Sequence, residues 1–157
     1  MGPIQTNKIG LIVKNSYLVH SVDREKVVKK MDLESKKTNK IQKVLVQVNI
    51  SGEATKSGIF PSDAEEFMHF VDSFDNLELA GLMFMPNINQ DKVSHIKEIK
   101  DSVALFKDMK SKKRNIQVLS LGTSSDYKEC IKAGSNLIRV GEILFGPRLW
   151  FIIQSYE

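Results

Sequence analysis

Two glycine turns near the end of the sequence carry the residue types that bind phosphate. At the first turn, Val118, Leu119 and Leu121 form a short apolar run that stops at Gly122, and the hydroxyl cluster 123–125 follows. This order predicts a strand, a tight turn and the start of a helix. The first turn of a helix presents main-chain N–H groups without internal partners, together with the positive end of the helix dipole. An anion can therefore bind there without a basic side chain.

The second glycine turn lies in the next predicted strand. A helix containing Tyr127 and Cys130 is expected to end at Gly134 as a left-handed cap. Residues 137–143 then fit a strand that contains the turn Gly141–Glu142. In α/β folds, binding sites lie at the carboxyl ends of neighbouring strands. We therefore expect the two turns to converge on one phosphate group.

Strand and helix patterns alternate about five times along the sequence, which favours a parallel α/β domain over a helical bundle or a β-sandwich. The strand pattern at 44–50 is β-branched and almost continuously apolar, as in sheets covered on both faces. The expected strands are 18–22, 44–50, 79–86, the run ending at Gly122, and 137–143, and the expected helices include one near Ile9 and those at 24–31 and 92–110.

Cap and periodicity patterns predict further detail for three helices. Asp23 is the expected N-cap of the helix 24–31, and Ser62 with Glu65 forms an expected capping box for the helix that follows. Apolar residues at helical spacing are expected to face the core. They are Phe67, Phe70, Val71 and Phe74 in that helix, and Val93, Ile96, Val103 and Phe106 in the helix 92–110.

Composition indicates a single globular domain over residues 1–157 in the cytoplasm. No apolar run approaches the roughly 18 residues that cross a bilayer, so a membrane partner is not expected. The single Cys130 cannot form an internal disulfide and is expected to be a buried core residue, which agrees with a reducing compartment. His20, His69 and His95 lie far apart in the sequence, so no metal site is predicted.

The formal net charge of +4 comes largely from two basic clusters, residues 36–40 and 110–114. Nucleic-acid binding is one interpretation of such clusters. Solvated helix ends are favoured, because no aromatic residues interleave with the charges and cations complement the negative end of a helix dipole. We therefore expect no nucleic-acid partner.

Five motifs in this order resemble the YggS/PROSC family of pyridoxal 5′-phosphate (PLP) homeostasis proteins. Their combination and their spread along the chain make the resemblance specific. The motifs are residues 2–8, 46–53 with 56–58, 81–83, 119–126, and 138–141 with 145–148.

The resemblance implies a (β/α)8 TIM-barrel fold like the N-terminal domain of alanine racemase. It also implies PLP as the cofactor, bound as a Schiff base without established catalytic turnover. Family members are thought to buffer and deliver PLP, which implies a carrier or regulator of PLP and amino-acid balance with PLP-dependent enzymes as clients. By motif position, Ser124 and the backbone of Gly141 and Glu142 would hold the phosphate. Arg139 would face the pyridine nitrogen, and Asn49 would line the mouth of the site.

The sequence departs from the family pattern at its start. The motif 2–8 normally ends the third barrel strand, so this chain is expected to form an incomplete barrel of strands four to eight with the tail of strand three. The lysine that forms the Schiff base belongs to the first strand and is absent from this sequence. Either the gene is truncated, or the chain associates with itself through its exposed barrel edges.

Three single residues also differ from the family pattern. Thr123 replaces a usual methionine, Phe84 a common threonine, and Glu142 a serine or threonine that often supplies a phosphate hydroxyl. A glutamate carboxylate repels phosphate, so only the main-chain N–H of Glu142 is expected to contribute.

Several alternatives stay open at the level of sequence. Arg139 also fits a strand-end arginine paired with a carboxylate, Ser124 a plain helix cap, and Lys56 either a solvated lysine or a second cation at the mouth. Three function classes follow: a PLP-binding regulatory protein, a fragment of a racemase-like PLP enzyme, and a non-binding remnant or interaction module. The racemase class needs a lysine and a second acid or base across the cofactor, and no lysine occupies the expected strand end.

Overall fold

The structure of the chain is a computed structural model that describes residues 2–53, 56–113 and 115–146. The end of the last family motif, Pro147 and Arg148, lies outside these residues, and so does Arg114 of the second basic cluster.

Five parallel strands form one sheet in the order β1-β2-β3-β4-β5, so each strand pairs with its neighbour in the sequence. Consecutive parallel strands need a crossover, and the helical segments between them supply it. The expected parallel α/β architecture is confirmed. The strands are β1 (Leu18–Val22), β2 (Gln42–Val48), β3 (Leu77–Phe84), β4 (Val118–Thr123) and β5 (Leu137–Arg139).

The helices pack against one face of this sheet. Helix α3 contacts β2 and β3, α4 contacts β3 and β4, and α5 contacts β4. The helices are α1 (Ile9–Asn15), α2 (Glu25–Lys37), α3 (Ala64–Asp72), α4 (Lys92–Lys112), α5 (Tyr127–Ala133) and α6 (Glu142–Phe145), with 3-10 turns at Thr6–Lys8 and Pro61–Asp63.

Strand alternation separates two sets of side chains. The main core lies between the sheet and the helices and includes Val44, Val46 and Val48 of β2. On the other face Leu45, Ala80 and Met83 form a smaller buried cluster, against which Leu18, Val118 and Leu137 pack. Because successive side chains point to opposite faces, both faces of the central strands are buried. This explains the nearly continuous apolar pattern of β2.

The sheet is strongly curved, with the smaller cluster on the concave face. His20 of β1 and Ser120 of β4 lie three strands apart in the sheet order, which in a flat sheet corresponds to about 14 Å. Yet His20 Nδ1 is 3.1 Å from Ser120 Oγ. Two short side chains can meet across that span only if the strands curl towards each other. The sheet thus has the curvature of part of a barrel.

Several predicted boundaries and caps are wrong. Strand β5 ends at Arg139 and not at residue 143, because Gly141 leads directly into α6. Strand β2 covers 42–48, and helix α2 extends to Lys37. Arg24 is the N-cap residue of α2, without a side-chain cap, whereas the predicted cap Asp23 pairs with the Arg24 guanidinium.

The capping box and one predicted buried position are also wrong. A 3-10 turn precedes α3, and Ser62 Oγ bonds the Asp63 carboxylate in place of a main-chain N–H. In α4 the Asp91 carboxylate caps the helix by accepting from the N–H groups of Val93 and Ser94. Val93 therefore lies in the first turn, where its side chain is 80% exposed. Val103 and Phe106 are buried as predicted, and Phe67, Phe70, Phe74 and Ile96 pack partly buried against the core.

The two basic clusters lie at the carboxyl ends of helices, as the helix dipole predicts. Lys36 and Lys37 occupy the last turn of α2, and Lys110 and Lys112 the last turn of α4. Lys37 and Lys112 also pair with carboxylates.

None of the helices described is both long and apolar enough to span a membrane.

Candidate functional site

The two glycine turns meet at Ser124. Its Oγ accepts hydrogen bonds from the main-chain N–H of Gly141 at 3.2 Å and of Ile143 at 3.4 Å. Ser124 is half-buried, while Gly141 and Glu142 are exposed. A single oxygen atom thus gathers two N–H groups from the loop after β5, and a phosphate oxygen is an acceptor of the same kind. The expected convergence of the two turns is present in the structure.

Gly122 makes the first turn possible. Its φ of +110° lies in the left-handed region, and a Cβ there would lie 2.9 Å from Cys130 Cβ and 3.2 Å from Tyr127 Cα. Glycine therefore lets β4 turn sharply and lets α5 pack close to it. Gly134, at φ +117°, ends α5 as the predicted left-handed cap, with its N–H bonded to the carbonyls of Cys130 and Ile131.

Short helices limit the contribution of the helix dipole. Helix α5 has 7 residues and α6 has 4, so few aligned peptide units stand behind either N-terminus. An anion at these turns would therefore depend on individual N–H groups and on the Ser124 hydroxyl.

Asp126 holds the first turn in place. Its Oδ1 accepts from the Thr123 N–H at 2.7 Å and from Thr123 Oγ1 at 3.0 Å. Its Oδ2 lies 3.2 Å from His95 Nε2. The residue is 4% exposed, so its charge is satisfied almost entirely by protein groups. The threonine that departs from the family pattern thus adds a second hydrogen bond to this carboxylate.

Arg139 ties three strands together on the concave face. Its Nη1 donates to Ser120 Oγ of β4 at 2.6 Å, and its Nη2 donates to the Phe84 carbonyl at the end of β3 at 2.8 Å. Arg139 is buried, and its Nε has no hydrogen-bond partner among the described residues. Burial lowers the pKa of Arg139, and the nearby Asp126 carboxylate and Cys130 sulfur act in the opposite direction. The guanidinium therefore retains an unused donor.

His20 completes this network. Since Arg139 donates to Ser120 Oγ, the Ser120 hydroxyl can donate its own proton to His20 Nδ1, which suits a neutral imidazole with the proton on Nε2. Burial and the nearby Arg139 charge both lower the pKa of His20. The concave face therefore favours an uncharged histidine beside the buried guanidinium.

Asn49 organises the loop after β2. Its Nδ2 donates to the Glu53 carbonyl at 2.8 Å and to the Lys56 carbonyl at 3.3 Å, and its Oδ1 accepts from Ser51 Oγ. Asn49 is 5% exposed. It lines a cavity of about 300 Å³ between this loop and the loop after β3, together with Gln47, Lys56 and Asn87. Lys56 pairs with Glu53 at 3.1 Å.

Some groups in this region were not predicted from the sequence. Asp126 and Ser120 lie within a recognised motif but had no assigned role, and His95 was considered only as a metal ligand. The hydroxyl cluster followed by an acid was the available signal for Asp126. Neither the contact of His95 with Asp126 nor that of His20 with Ser120 has a signal in local sequence, because each joins elements distant along the chain.

Cys130 is a buried core residue, as predicted. Burial, with the Asp126 charge and a hydrogen bond to it, raises the pKa of the thiol to about 12. The thiol therefore stays protonated and is not a nucleophile. Within the described residues, no group of three or more His, Cys, Asp or Glu side chains is placed to hold a metal ion.

Comparison with known proteins supports the resemblance seen in the sequence. The family described as alanine racemase, N-terminal domain, matches residues 1–148. A pyridoxal phosphate homeostasis protein of Vibrio alginolyticus is 35% identical over 148 residues, covering 94% of this chain and 64% of that protein. The chain thus spans less than two thirds of the length of this relative.

Solved structures show the same fold. A protein described as unknown, from Bifidobacterium adolescentis, is 27% identical and superposes with a TM-score of 0.85 over 92% of this chain and 59% of that one. PipY of Synechococcus elongatus PCC7942, solved with PLP bound, is 21% identical and superposes with a TM-score of 0.81 over 93% of this chain and 68% of that one.

The five strands and their helices form an incomplete barrel of the alanine racemase type, as expected. The expected resemblance to the PLP homeostasis proteins is also confirmed. With the family match extending over nearly the whole chain, this protein belongs to the alanine racemase N-terminal domain family.

Proposed function

We propose that this chain binds PLP through its phosphate and acts in PLP homeostasis as a carrier or regulator, without catalytic turnover of its own. The residues assigned to the site are Ser124, Arg139, Gly141, Glu142 and Asn49. The names of its relatives and the PLP bound to PipY support the proposal.

The observation that carries it is the contact of Ser124 Oγ with the N–H groups of Gly141 and Ile143. Three groups of the kind that bind phosphate oxygens are already gathered here, because two main-chain amides lie within hydrogen-bond distance of one hydroxyl. An arriving phosphate oxygen can accept from the two amides while the hydroxyl turns to donate to it. Little rearrangement is needed, so little of the binding free energy is lost to reorganisation.

We infer that the ring of the cofactor would lie on the concave face, beside Arg139. PLP supplies an electron sink for carbanions when it is bound. The Arg139 guanidinium lies on this face, where it donates to Ser120 Oγ and to the Phe84 carbonyl, and its buried Nε has no hydrogen-bond partner among the described residues. A guanidinium does not give up its proton, so it favours an unprotonated pyridine nitrogen, and a ring held in that form is a poor electron sink. Arg139 would therefore support binding while suppressing turnover.

Asn49 and Glu142 would contribute in different ways. The Asn49 side chain bonds the Glu53 and Lys56 carbonyls and the Ser51 hydroxyl, and so would shape the mouth of the site. Glu142 is exposed at the start of α6. Its carboxylate can remain in water while its N–H faces the phosphate.

A racemase-like enzyme is the second candidate, favoured by the fold family. That chemistry needs two proton-transfer groups on opposite sides of the cofactor. The polar side chains that contact Arg139 or its partner Ser120 are Ser120 itself and His20, and the pKa of His20 is lowered. This set favours binding over proton transfer. The third candidate is a non-binding remnant or interaction module.

Binding measurements separate the three candidates. Purified chain is titrated with PLP and followed by absorbance and calorimetry, with and without borohydride. The proposal expects saturable binding that borohydride does not trap and that Arg139→Ala weakens at least about tenfold, the loss expected when a charged hydrogen-bond donor is removed. Exchange of the α-proton of an amino acid would support an enzyme. A folded chain with no affinity for PLP or inorganic phosphate would support the remnant.

Partners and organisation are part of the same proposal. Among the described residues, β1 and β5 each pair with one strand only, so each leaves an edge that can accept another strand. We propose that the chain associates with itself through these edges and forms a single domain over residues 1–157. We also propose a cytoplasmic location, in keeping with the free, buried Cys130. PLP-dependent enzymes would be its clients. Light scattering that shows a monomer at all concentrations would contradict self-association.

A further inference from the structure

His95 joins the loop after β3 to the turn after β4. Its Nδ1 lies 2.8 Å from the carbonyl oxygen of Asn87, and its Nε2 lies 3.2 Å from Asp126 Oδ2. The ring is largely buried, with 14% of the side chain exposed. His95 is thus the direct contact between the wall of the cavity at Asn87 and the turn that carries Ser124.

Both partners of the ring are acceptors. A main-chain carbonyl cannot donate, and neither can an ionised carboxylate. A neutral imidazole has only one N–H and can make only one of the two hydrogen bonds, whichever tautomer it adopts. The imidazolium has two and can make both. The two contacts therefore exist together only in the protonated ring.

The Asp126 carboxylate links His95 to the proposed phosphate-binding turn. One of its oxygens faces His95, and the other accepts both the N–H and the hydroxyl of Thr123, next to Ser124. Groups that share a buried carboxylate are coupled, because losing one donor changes how the carboxylate is held by the others. A deprotonated His95 keeps only one of these donors, so either Asp126 Oδ2 or the Asn87 carbonyl loses its hydrogen bond, and the turn is no longer held against the loop after β3.

Other charged groups surround this pair. Lys92 and Glu129 line the same small pocket as His95 and Asp126. Two more carboxylates bind Asn87, whose N–H donates to Glu98 and whose side-chain amide donates to Glu53. Asp91 caps the helix that carries His95, and Arg139 and the Cys130 thiol also interact electrostatically with Asp126. Of these groups, His95 is the histidine that contacts the turn.

We propose that His95 is a positioning residue for the oxyanion site, and that its protonated ring fixes the turn 123–126 in the geometry that binds phosphate. Affinity for an oxyanion then falls as pH rises through the titration of His95. The inference rests on the proposed phosphate site and adds to it a pH response.

Sulfate is the probe that isolates this effect, because its charge is constant at neutral pH whereas phosphate and PLP titrate themselves. Sulfate affinity is measured by NMR shifts from pH 5.5 to 8.5, and the titration of His95 is followed in the same samples. The wild-type chain should lose roughly three- to tenfold in affinity, the loss expected when one buried hydrogen bond of about 1 kcal/mol is weakened. The midpoint of that loss should coincide with the titration of His95.

Two variants provide the matched comparison. His95→Gln keeps one donor at every pH and should bind sulfate weakly and almost independently of pH. His69→Gln removes an exposed histidine of α3 and should behave as wild type. An unchanged pH slope in His95→Gln would overturn the inference, because His20 or another group would then be responsible.

A readout without ligand separates failure of this inference from failure of the phosphate site. The Thr123 amide shift should titrate with the His95 ring in the ligand-free wild-type chain, and not in His95→Gln. If sulfate and PLP both fail to bind but this coupling is present, the phosphate site is wrong and the His95 contact stands. If binding occurs and the Thr123 amide does not follow His95, the positioning role is wrong.

Discussion

Ser124 Oγ lies 3.2 Å from the main-chain nitrogen of Gly141, although the two residues belong to loops that follow different strands. The contact exists because β4 and β5 are adjacent and parallel, so their carboxyl ends open on the same side of the sheet. The hydroxyl links the two turns in the free protein and is available to a phosphate oxygen. Under the proposed function, we expect replacement of this hydroxyl to affect PLP binding more than folding.

The first prediction concerns Ser124→Ala. Loss of the hydroxyl removes one hydrogen bond to a charged phosphate, worth about 1.5–3 kcal/mol, so PLP affinity should fall roughly 10- to 100-fold. Because Ser124 is only half-buried, the free energy of unfolding should change by less than about 1 kcal/mol. Calorimetric titration with PLP, alongside urea unfolding, measures both quantities.

Ser62→Ala is the matched control, because the Ser62 hydroxyl bonds only the neighbouring Asp63 on an exposed surface. It should leave PLP affinity unchanged. Equal affinity of Ser124→Ala and the wild-type chain would remove Ser124 from the site.

The second prediction tests the turn at Gly122. Gly122→Ala places a methyl group where the backbone has φ +110° and where Cys130 Cβ is 2.9 Å away. Strain and close contact together should cost at least about 2 kcal/mol of unfolding free energy. Urea unfolding provides the measurement.

Gly10→Ala serves for comparison, because Gly10 lies inside α1 and the nearest atoms to an added Cβ belong to the Glu34 side chain, 3.3 Å away at Oε2. That side chain can move, and alanine favours a helix by about 1 kcal/mol over glycine. The control should be as stable as the wild-type chain or more so. Similar stability of the two variants would show that the turn does not need glycine.

The third prediction links Arg139 to His20. Removing the positive charge in Arg139→Gln should raise the pKa of His20 towards its ordinary value of 6.5, because the Arg139 charge is one of the two causes that lower it. Burial remains, so the pKa should not recover fully. NMR titration of the His20 ring follows the change, and Lys29→Gln, on the exposed side of α2, should leave the pKa unaltered.

The fourth prediction is the pH dependence of stability caused by His20. Its pKa in the folded protein lies below the unfolded value of 6.5, so the unfolded chain binds the proton more readily. Stability from this group is therefore complete above about pH 6.5 and decreases as pH falls through that region. The raised pKa of Asp23, caused mainly by burial, has the opposite sign and acts at lower pH.

Urea unfolding at pH 7.5 and pH 5.5 tests this sign. Relative to His20→Asn, the wild-type chain should lose more stability at the lower pH, by up to about 1.4 kcal/mol for each unit by which the pKa of His20 is lowered. If the difference in unfolding free energy between pH 7.5 and pH 5.5 is the same in His20→Asn as in the wild-type chain, the assignment to His20 is wrong.

Local sequence accounts for the elements with strong patterns. The strand β2, the left-handed cap at Gly134 and the buried Cys130 each follow from residues adjacent in the chain, and the structure agrees. The two failed caps show the limit of such patterns. Ser62 and Asp23 have side chains suited to capping at the right spacing, but neither caps a helix. A 3-10 turn precedes α3 and Ser62 bonds Asp63, while Asp23 pairs with Arg24.

The site could be predicted only where one motif carried it. The glycine turns predicted that the loops after β4 and β5 meet, and the family resemblance assigned Ser124 and Gly141 to the phosphate by motif position. The contacts of His95 with Asp126 and of His20 with Ser120 depend on how far the sheet curls. Curvature arises from the packing of the whole sheet, and no short stretch of sequence encodes it.

The most direct test of the phosphate site is a two-dimensional amide NMR titration of the chain with PLP and, separately, with inorganic phosphate. The account predicts that both ligands shift the amides of Ser124, Gly141 and Ile143 most, with the same pattern at saturation, and that PLP alone also perturbs the Arg139 side chain. Saturating PLP that leaves these three amides unmoved, or that shifts only residues elsewhere, would contradict it.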